Sequence, residues 1–194
     1  MFLSCFQDAL EHVVLRGNER VLDVACGPAA ASSLLAQKGH PVDAVDHSTP
    51  LVRVLRQRLK EQGLSHIGVR EMKPERLEFD DGSFELGLSM FGLPRSTNLE
   101  QSLWEMARVL KGGGHLLACF WARPEESPLL EATQSALGAM FPGRRHAPPA
   151  RLLLAEPRRL ESALLSAGFG HVTLRRTSLR LDVEDVEDFW QRLS

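Results

Sequence analysis

The sequence predicts an α/β fold built on a doubly wound, mostly parallel sheet flanked by helices. Short apolar runs alternate with helical patterns along the 194 residues, which is typical of parallel sheets with helical crossovers. The first run, residues 21–26, enters a turn and then a helix, and the second run ends in an acid, Asp46. In such sheets ligands bind outside the carboxyl ends of the strands, beside the point where the strand order reverses.

The first half of the chain predicts three strands and two helices. The apolar runs indicate strands at residues 21–26, 40–46 and 66–71. The helical patterns cover residues 30–38, which end at Gly39, and residues 48–63. The second helix has strong end signals, with a cap at Ser48 or Thr49, Pro50 in its first turn and Gly63 at its exit.

The second half predicts three more strands and four helices. Strands are expected at residues 84–93, 115–122 and 171–181, and Asn98 is expected to cap a helix that runs to Leu110. The other helices are expected at residues 127–140, 156–167 and 183–193. The Pro- and Arg-rich residues 141–150 predict a loop, the best candidate for a mobile flap.

Composition limits the classes of partner. A chain with 43% hydrophobic and 25% charged residues is typical of one globular domain, here residues 1–194. The net charge of −2 favours neither nucleic acid nor an anionic membrane as partner. Cys5, Cys26 and Cys119 form no C-x-x-C pair, so no metal site is expected, and a reduced cytoplasmic setting fits best. No signal peptide or membrane span is predicted.

The turn after the first strand argues against a dinucleotide cofactor. A pyrophosphate requires several glycines, whereas this turn has only Gly27, and Pro28 removes a further N–H donor. The missing phosphate loop therefore disfavours a nicotinamide-dependent oxidoreductase. A nucleoside cofactor without phosphates fits the turn better. Asp46, at the end of the second strand, suits ribose hydroxyls in either class of cofactor and does not distinguish them.

Five segments, in order, resemble class I S-adenosylmethionine (SAM)-dependent methyltransferases, and particularly the small-molecule enzymes of the ubiquinone and menaquinone type. They are "VLDVACGPA", "VDAVDHS", "LEFDDGSFELGLSMFGL", "EMARVLKGGGHLLACFW" and "LLSAGFGHVTL". The resemblance implies a Rossmann-like fold, SAM as the cofactor, and in-line methyl transfer to a small-molecule acceptor. The alternative is a catalytically inactive protein of the same fold that serves in binding or assembly.

The resemblance also assigns site residues by position. The residues implied to contact SAM are Asp23, Ala25, Cys26, Gly27, Pro28, Asp46, His47, Met72, Lys73 and Met90. Two alternatives stay open, namely that Asp23 satisfies turn amides and that Asp46 caps a helix. Phe91 and Trp121 are candidates for an acceptor wall, with core packing as their alternative. The catalytic base is unknown; His47, His115 and His146 are weak candidates because structural histidines are more common.

Three departures from the family pattern bear on function. Ala29 replaces a glycine, so it either adopts a left-handed backbone at about 1–2 kcal/mol or narrows the groove with its methyl group. Met72 and Lys73 replace the acid that contacts adenine in the family. The chain also lacks an obvious last strand, and the incomplete sheet edge suggests pairing between copies as a homodimer.

Overall fold

A computed structural model describes residues 2–93, 96–123, 126–140, 156–178 and 185. The strands are β1 (Val21–Val24), β2 (Val42–Asp46), β3 (Gly68–Glu71), β4 (Phe84–Met90) and β5 (Leu110–Cys119). The helices are α1 (Phe2–Leu10), α2 (Ala30–Gln37), α3 (Thr49–Glu61), α4 (Leu99–Val109), α5 (Pro128–Met140) and α6 (Pro157–Ser166).

The five strands form one parallel sheet in the order β3-β2-β1-β4-β5. The chain runs outward from β1 through β2 to β3 and then crosses back to place β4 on the other side of β1. The strand order therefore reverses between β1 and β4, and the carboxyl ends of these strands form the crevice where such folds bind ligands. This confirms the predicted α/β, doubly wound architecture.

Hydrophobic clusters cover both faces of the sheet, as expected for parallel strands. On one face, Phe6 of α1 packs with residues of α2 and α3, including Leu35 and Leu55. On the other face, Met106 of α4 packs with Leu164 of α6. Helix α1 is absent from the sequence-based prediction, although its Phe6 is fully buried.

Strand β5 begins earlier than the sequence predicts. Helix α4 ends at Val109 and β5 starts at Leu110, whereas the glycine-rich segment predicts a start at residue 115. Phe84 pairs with Leu110 but Leu86 pairs with His115, so β5 carries a bulge between these two pairs. The glycines permit this bulge, since Gly113 has a φ of +78°.

The predicted strand at residues 171–181 is wrong over its described part. Residues 171–178 are irregular and join no ladder. Val172 packs against the core, but Leu174 is 40% exposed and arginines stand beside it, so the segment offers no continuous apolar face. The predicted loop at 141–150 and most of the predicted helix at 183–193 lie outside the described residues. Within the described residues, β5 is the last strand.

Arg108 fixes the segment that leads into β4. Its guanidinium donates hydrogen bonds to both carboxylate oxygens of Glu105, each at 2.8 Å. It also donates to the carbonyl oxygens of Leu77 and Phe79 and to Asp81. Glu105 in turn accepts the N–H of Leu77 at 2.7 Å. These bonds hold the segment before β4 against α4, and we call this set of contacts the Arg108 clamp.

Candidate active site

The turn from β1 into α2 is built from residues with left-handed backbone. Ala25, Gly27 and Ala29 have φ values of 54°, 54° and 53°. The N–H of Cys26 donates to the carbonyl of Val45 on β2 at 3.1 Å, and the N–H of Ala29 donates to Cys26 at 2.9 Å. A Cβ built on Gly27 would meet no atom within 4 Å, so there is open room above the turn.

Ala29 adopts the left-handed alternative, so its substitution for glycine is costly in backbone strain. Its side chain is fully buried in the cluster with α2 and α3, so its methyl group does not narrow the groove. Ala25 also has a left-handed backbone, which the sequence pattern did not indicate. Each alanine carries about 1–2 kcal/mol of strain relative to glycine.

Asp46 joins the end of β2 to the glycine turn. Its Oδ2 accepts the N–H of Gly27 at 3.2 Å, and its Oδ1 accepts the N–H of Ser48 at 3.0 Å. The N-cap of α3 is Ser48, whose Oγ accepts the N–H of Leu51, so Asp46 is not itself the capping residue. The His47 ring lies 3.5 Å from Asp46 Oδ1 and is 56% exposed.

Asp23 is buried under the turn and lacks a partner on one oxygen. Its side chain accepts the Ser32 hydroxyl on Oδ2 at 2.6 Å, while Oδ1 is without a hydrogen bond among the described residues. Burial raises the pKa of Asp23 to about 7; hydrogen bonds from Ser32 oppose this rise, and the charge of Asp46 adds to it. Its partners are thus the hydroxyl of Ser32 and, to a lesser extent, the backbone N–H of the same residue. Ser32 was missed by the sequence reasoning, because a serine inside a helix gives no motif signal.

The segment after β4 presses against the turn. A Cβ built on Gly92 would lie 2.4 Å from the Cβ of Ala25 and 2.7 Å from its carbonyl oxygen. Only glycine fits this contact. Sequence reasoning also missed Gly92, because such a close approach between two loops is not visible in sequence spacing.

Phe91 and Trp121 form an aromatic pair at the same rim. Their ring centroids lie 4.6 Å apart at an interplanar angle of 37°. Phe91 has a left-handed backbone, with φ of 62°, and its N–H donates to Cys119 at the end of β5. Both rings are half-buried and lie outside the two core clusters. Met90, in contrast, packs against the cluster that contains residues of α1, α2 and α3.

The residues after β3 divide between core and solvent. Met72 donates its N–H to the carbonyl of Asp46 at 3.0 Å, but its side chain packs in the second core cluster. Lys73 is exposed and forms a backbone bridge with Arg76. Both residues therefore follow the strand beside Asp46, but the Met72 side chain is in the core and the Lys73 side chain is in solvent.

The other candidate groups are less closely associated with the crevice. His115 pairs with Leu86, four residues before the end of β5, or about 13 Å along the strand. His146 lies outside the described residues. Burial raises the pKa of the Cys26 thiol, which favours its neutral form. Among the described residues there is no group of three His, Cys, Asp or Glu side chains that could hold a metal, and no helix long and apolar enough to cross a membrane.

Comparison with known proteins identifies the family. The sequence profile of the methyltransferase-domain family matches residues 22–118, half of the chain and nearly all of the parallel sheet. The chain belongs to this family. S-adenosylmethionine is therefore the expected cofactor, as the resemblance implied.

Two sequence relatives show how far the similarity extends. A ubiquinone/menaquinone biosynthesis C-methyltransferase of Yersinia enterocolitica is 29% identical over 175 residues, covering 82% of this chain and 69% of that protein. A demethylmenaquinone methyltransferase of Clavibacter sepedonicus is 36% identical over 106 residues, covering 55% of this chain and 42% of that protein. The match thus spans about two thirds of the first relative and less than half of the second.

A solved structure supports the fold assignment. A SAM-dependent methyltransferase from Aquifex aeolicus superimposes with a TM-score of 0.62 over 86% of this chain and 78% of its own, at 18% identity. At this identity the likeness concerns the fold, and it agrees with the parallel sheet described above.

Proposed function

We propose that the protein transfers a methyl group from SAM to a small-molecule acceptor at the carboxyl edge of β1, β2 and β4. The observation that carries the proposal is the contact between Asp46 and the N–H of Gly27 at 3.2 Å, beside open room above the turn. It holds the acid of β2 directly against the glycine turn of β1 at the carboxyl edge of the sheet. When bound, SAM supplies a methyl group activated by the positive charge on its sulfur.

The residues around the turn fit the chemical groups of this cofactor. Asp23 offers a buried carboxylate oxygen without a described partner, which suits the ammonium of the methionine end. No atom lies within 4 Å of a Cβ built on Gly27, so a ligand can approach the backbone there, and Cys26 and Ala25 would flank it. Asp46 carries the carboxylate for the ribose hydroxyls, and Pro28 leaves no phosphate cradle.

The aromatic pair of Phe91 and Trp121 supports an acceptor with an apolar, planar portion. Two half-buried rings lie 4.6 Å apart next to the turn, tilted by 37° to one another, and a planar apolar group would pack on the face of either ring. The quinone-pathway names of the sequence relatives agree with this class of acceptor. The task of these side chains is to align the acceptor and exclude water, because the methyl donor is already activated. A dedicated base is not required, and His47 is the described histidine nearest the site.

An acceptor screen tests the proposal. Purified protein would be incubated with methyl-labelled SAM and a panel of hydroquinones, phenols and small amines, and label transfer measured. Trp121→Ala should raise the acceptor KM, whereas Trp104→Ala, on the half-exposed surface of α4, should leave it unchanged. If the protein binds SAM but transfers label to none of the acceptors, the proposed enzymatic activity is contradicted and a role in binding or assembly is favoured.

Pairing between copies through a sheet edge stays a prediction, and the described edges differ in how accessible they are. Arg56 of α3 donates two hydrogen bonds to the carbonyl of Val69, which occupies part of the β3 edge. The β5 edge is therefore the better candidate for a homodimer. Light scattering would detect a dimer, and a monomer at all concentrations would contradict it.

A cytoplasmic location likewise stays a prediction, tested by fractionation.

A further inference from the structure

Ser32 and Asp23 form a buried polar pair beneath the cofactor turn. Ser32 lies in the first turn of α2, and Asp23 is the third residue of β1. Both side chains are at most 1% exposed, and the Ser32 hydroxyl donates to Asp23 Oδ2 at 2.6 Å. A hydrogen bond to a charged group at this distance holds the carboxyl group in one orientation.

The surroundings of this pair carry negative charge without an internal cation. The acidic group acting on Asp23 from β2 is Asp46, and the Cys26 thiol of the turn is neutral. Among the described residues, no lysine, arginine or histidine pairs with Asp23. A buried carboxylate is unfavourable unless a cation or hydrogen-bond donors compensate it. The Ser32–Asp23 pair is thus suited to a ligand that carries a positively charged group.

We propose that Ser32 is a positioning residue, whose hydroxyl holds Asp23 Oδ2 so that Oδ1 receives the ammonium group of the cofactor's amino-acid end. The inference rests on the proposed function, since it takes SAM as the ligand. The proposed function already gives Asp23 the amino-acid end and Asp46 the nucleoside end; the addition is that Ser32 fixes the carboxyl group of Asp23.

Two ligands separate these ends. S-adenosylhomocysteine carries both the amino acid and the nucleoside, whereas 5′-methylthioadenosine keeps the nucleoside and sulfur but lacks the ammonium. Ser32→Ala should weaken S-adenosylhomocysteine binding about tenfold and leave 5′-methylthioadenosine binding unchanged. Ser33→Ala is the matched control, because it makes the same change at the next, half-buried position of α2. Asp23→Asn should show a larger loss with the same selectivity.

The ratio of the two dissociation constants is the readout, because a general loosening of the turn would affect both ligands. Equal losses for both ligands, or no loss for either, would overturn the role of Ser32 while leaving the proposed function intact. Binding of 5′-methylthioadenosine by each variant also shows that the variant is folded. If the unmodified protein binds neither ligand, the proposed function fails and this inference fails with it.

Discussion

Among the described residues, three other than glycine hold a left-handed backbone, and all three lie at the candidate site. Ala25, Ala29 and Phe91 have φ values of 54°, 53° and 62°. Each conformation is unfavourable by about 1–2 kcal/mol for a residue with a side chain. The surrounding structure enforces them, since Ala29 is packed in the core and Gly92 presses against Ala25. Such strain concentrates at functional sites, because the geometry needed there differs from the most relaxed one.

The expected role of Asp46 in cofactor binding can be separated from a role in stability by comparison with its neighbour Ser48. Asp46→Ala should weaken S-adenosylhomocysteine binding at least about tenfold, because it removes the charged acceptor expected to hold the ribose hydroxyls. Ser48→Ala removes the side-chain cap of α3 and should reduce the free energy of unfolding by about 1 kcal/mol, with little change in affinity. Calorimetry and urea unfolding measure the two effects. Unchanged affinity in Asp46→Ala would limit Asp46 to a structural role.

The titration of Asp23 predicts a pH dependence of both stability and binding. Burial raises its pKa from 3.8 to about 7, so the neutral carboxyl stabilises the unligated fold below pH 4, and this contribution is lost as the pH rises through about 7. The penalty at high pH is on the order of 4 kcal/mol. Binding an ammonium needs the ionised form, so affinity should fall toward tenfold per pH unit below about 7.

Asp23→Asn supplies the control for this titration. The variant should lose the pH dependence of affinity over pH 5–8 and melt with less dependence on pH than the unmodified protein. Melting curves with and without S-adenosylhomocysteine measure both quantities. An affinity in the unmodified protein that stays flat from pH 5 to 8 would show that Asp23 does not titrate with binding.

At the scale of elements, the contact between the β4 exit and the β1 turn depends on one glycine. Gly92→Ala would place a methyl group 2.4 Å from the Cβ of Ala25, so one of the two segments must move. We expect a loss of stability of about 1–3 kcal/mol together with weaker cofactor binding. Gly112→Ala is the control, since a Cβ there meets nothing within 4 Å. Equal melting temperatures and affinities for both variants would show that the contact is dispensable.

The clamp between α4 and the segment before β4 makes a second prediction at this scale. Arg108→Ala leaves Glu105, which is 6% exposed, without its cation, and should reduce the free energy of unfolding by about 3 kcal/mol. Arg159→Ala removes an exposed pair with Glu156 and should change it by less than about 1 kcal/mol. Urea unfolding measures both. Similar losses in the free energy of unfolding for the two variants would show that Arg108 contributes no more than an exposed ion pair.

At the scale of the whole molecule, the parallel sheet was predictable from the sequence because its three central strands, β1, β2 and β4, are short apolar runs that are almost entirely buried. The carboxyl-end position of Asp46 and Gly27 followed from the same pattern, since parallel strands end at one edge. The predicted strand at 171–181 failed over its described part, residues 171–178, because alternation of apolar and basic residues does not show whether a neighbouring edge will pair. The β5 bulge was missed because three consecutive glycines read as a helix exit.

The site was only partly predictable for a related reason. Motif positions indicated Asp23, Gly27 and Asp46, which the structure gathers at one edge of the sheet. The contributions of Ser32 and Gly92 depend on contacts between segments far apart in the chain, such as the one between the β4 exit and the β1 turn. A single sequence does not specify such contacts.

The central claim is that the β1 turn and Asp46 form a SAM pocket rather than a dinucleotide pocket. Isothermal titration calorimetry of the full chain with S-adenosylhomocysteine, SAM and NAD tests it most directly. The structure predicts saturable binding of both SAM compounds with a dissociation constant below about 1 mM, and no binding of NAD. The absence of heat with both SAM compounds up to about 1 mM, or binding of NAD in their place, would contradict the claim.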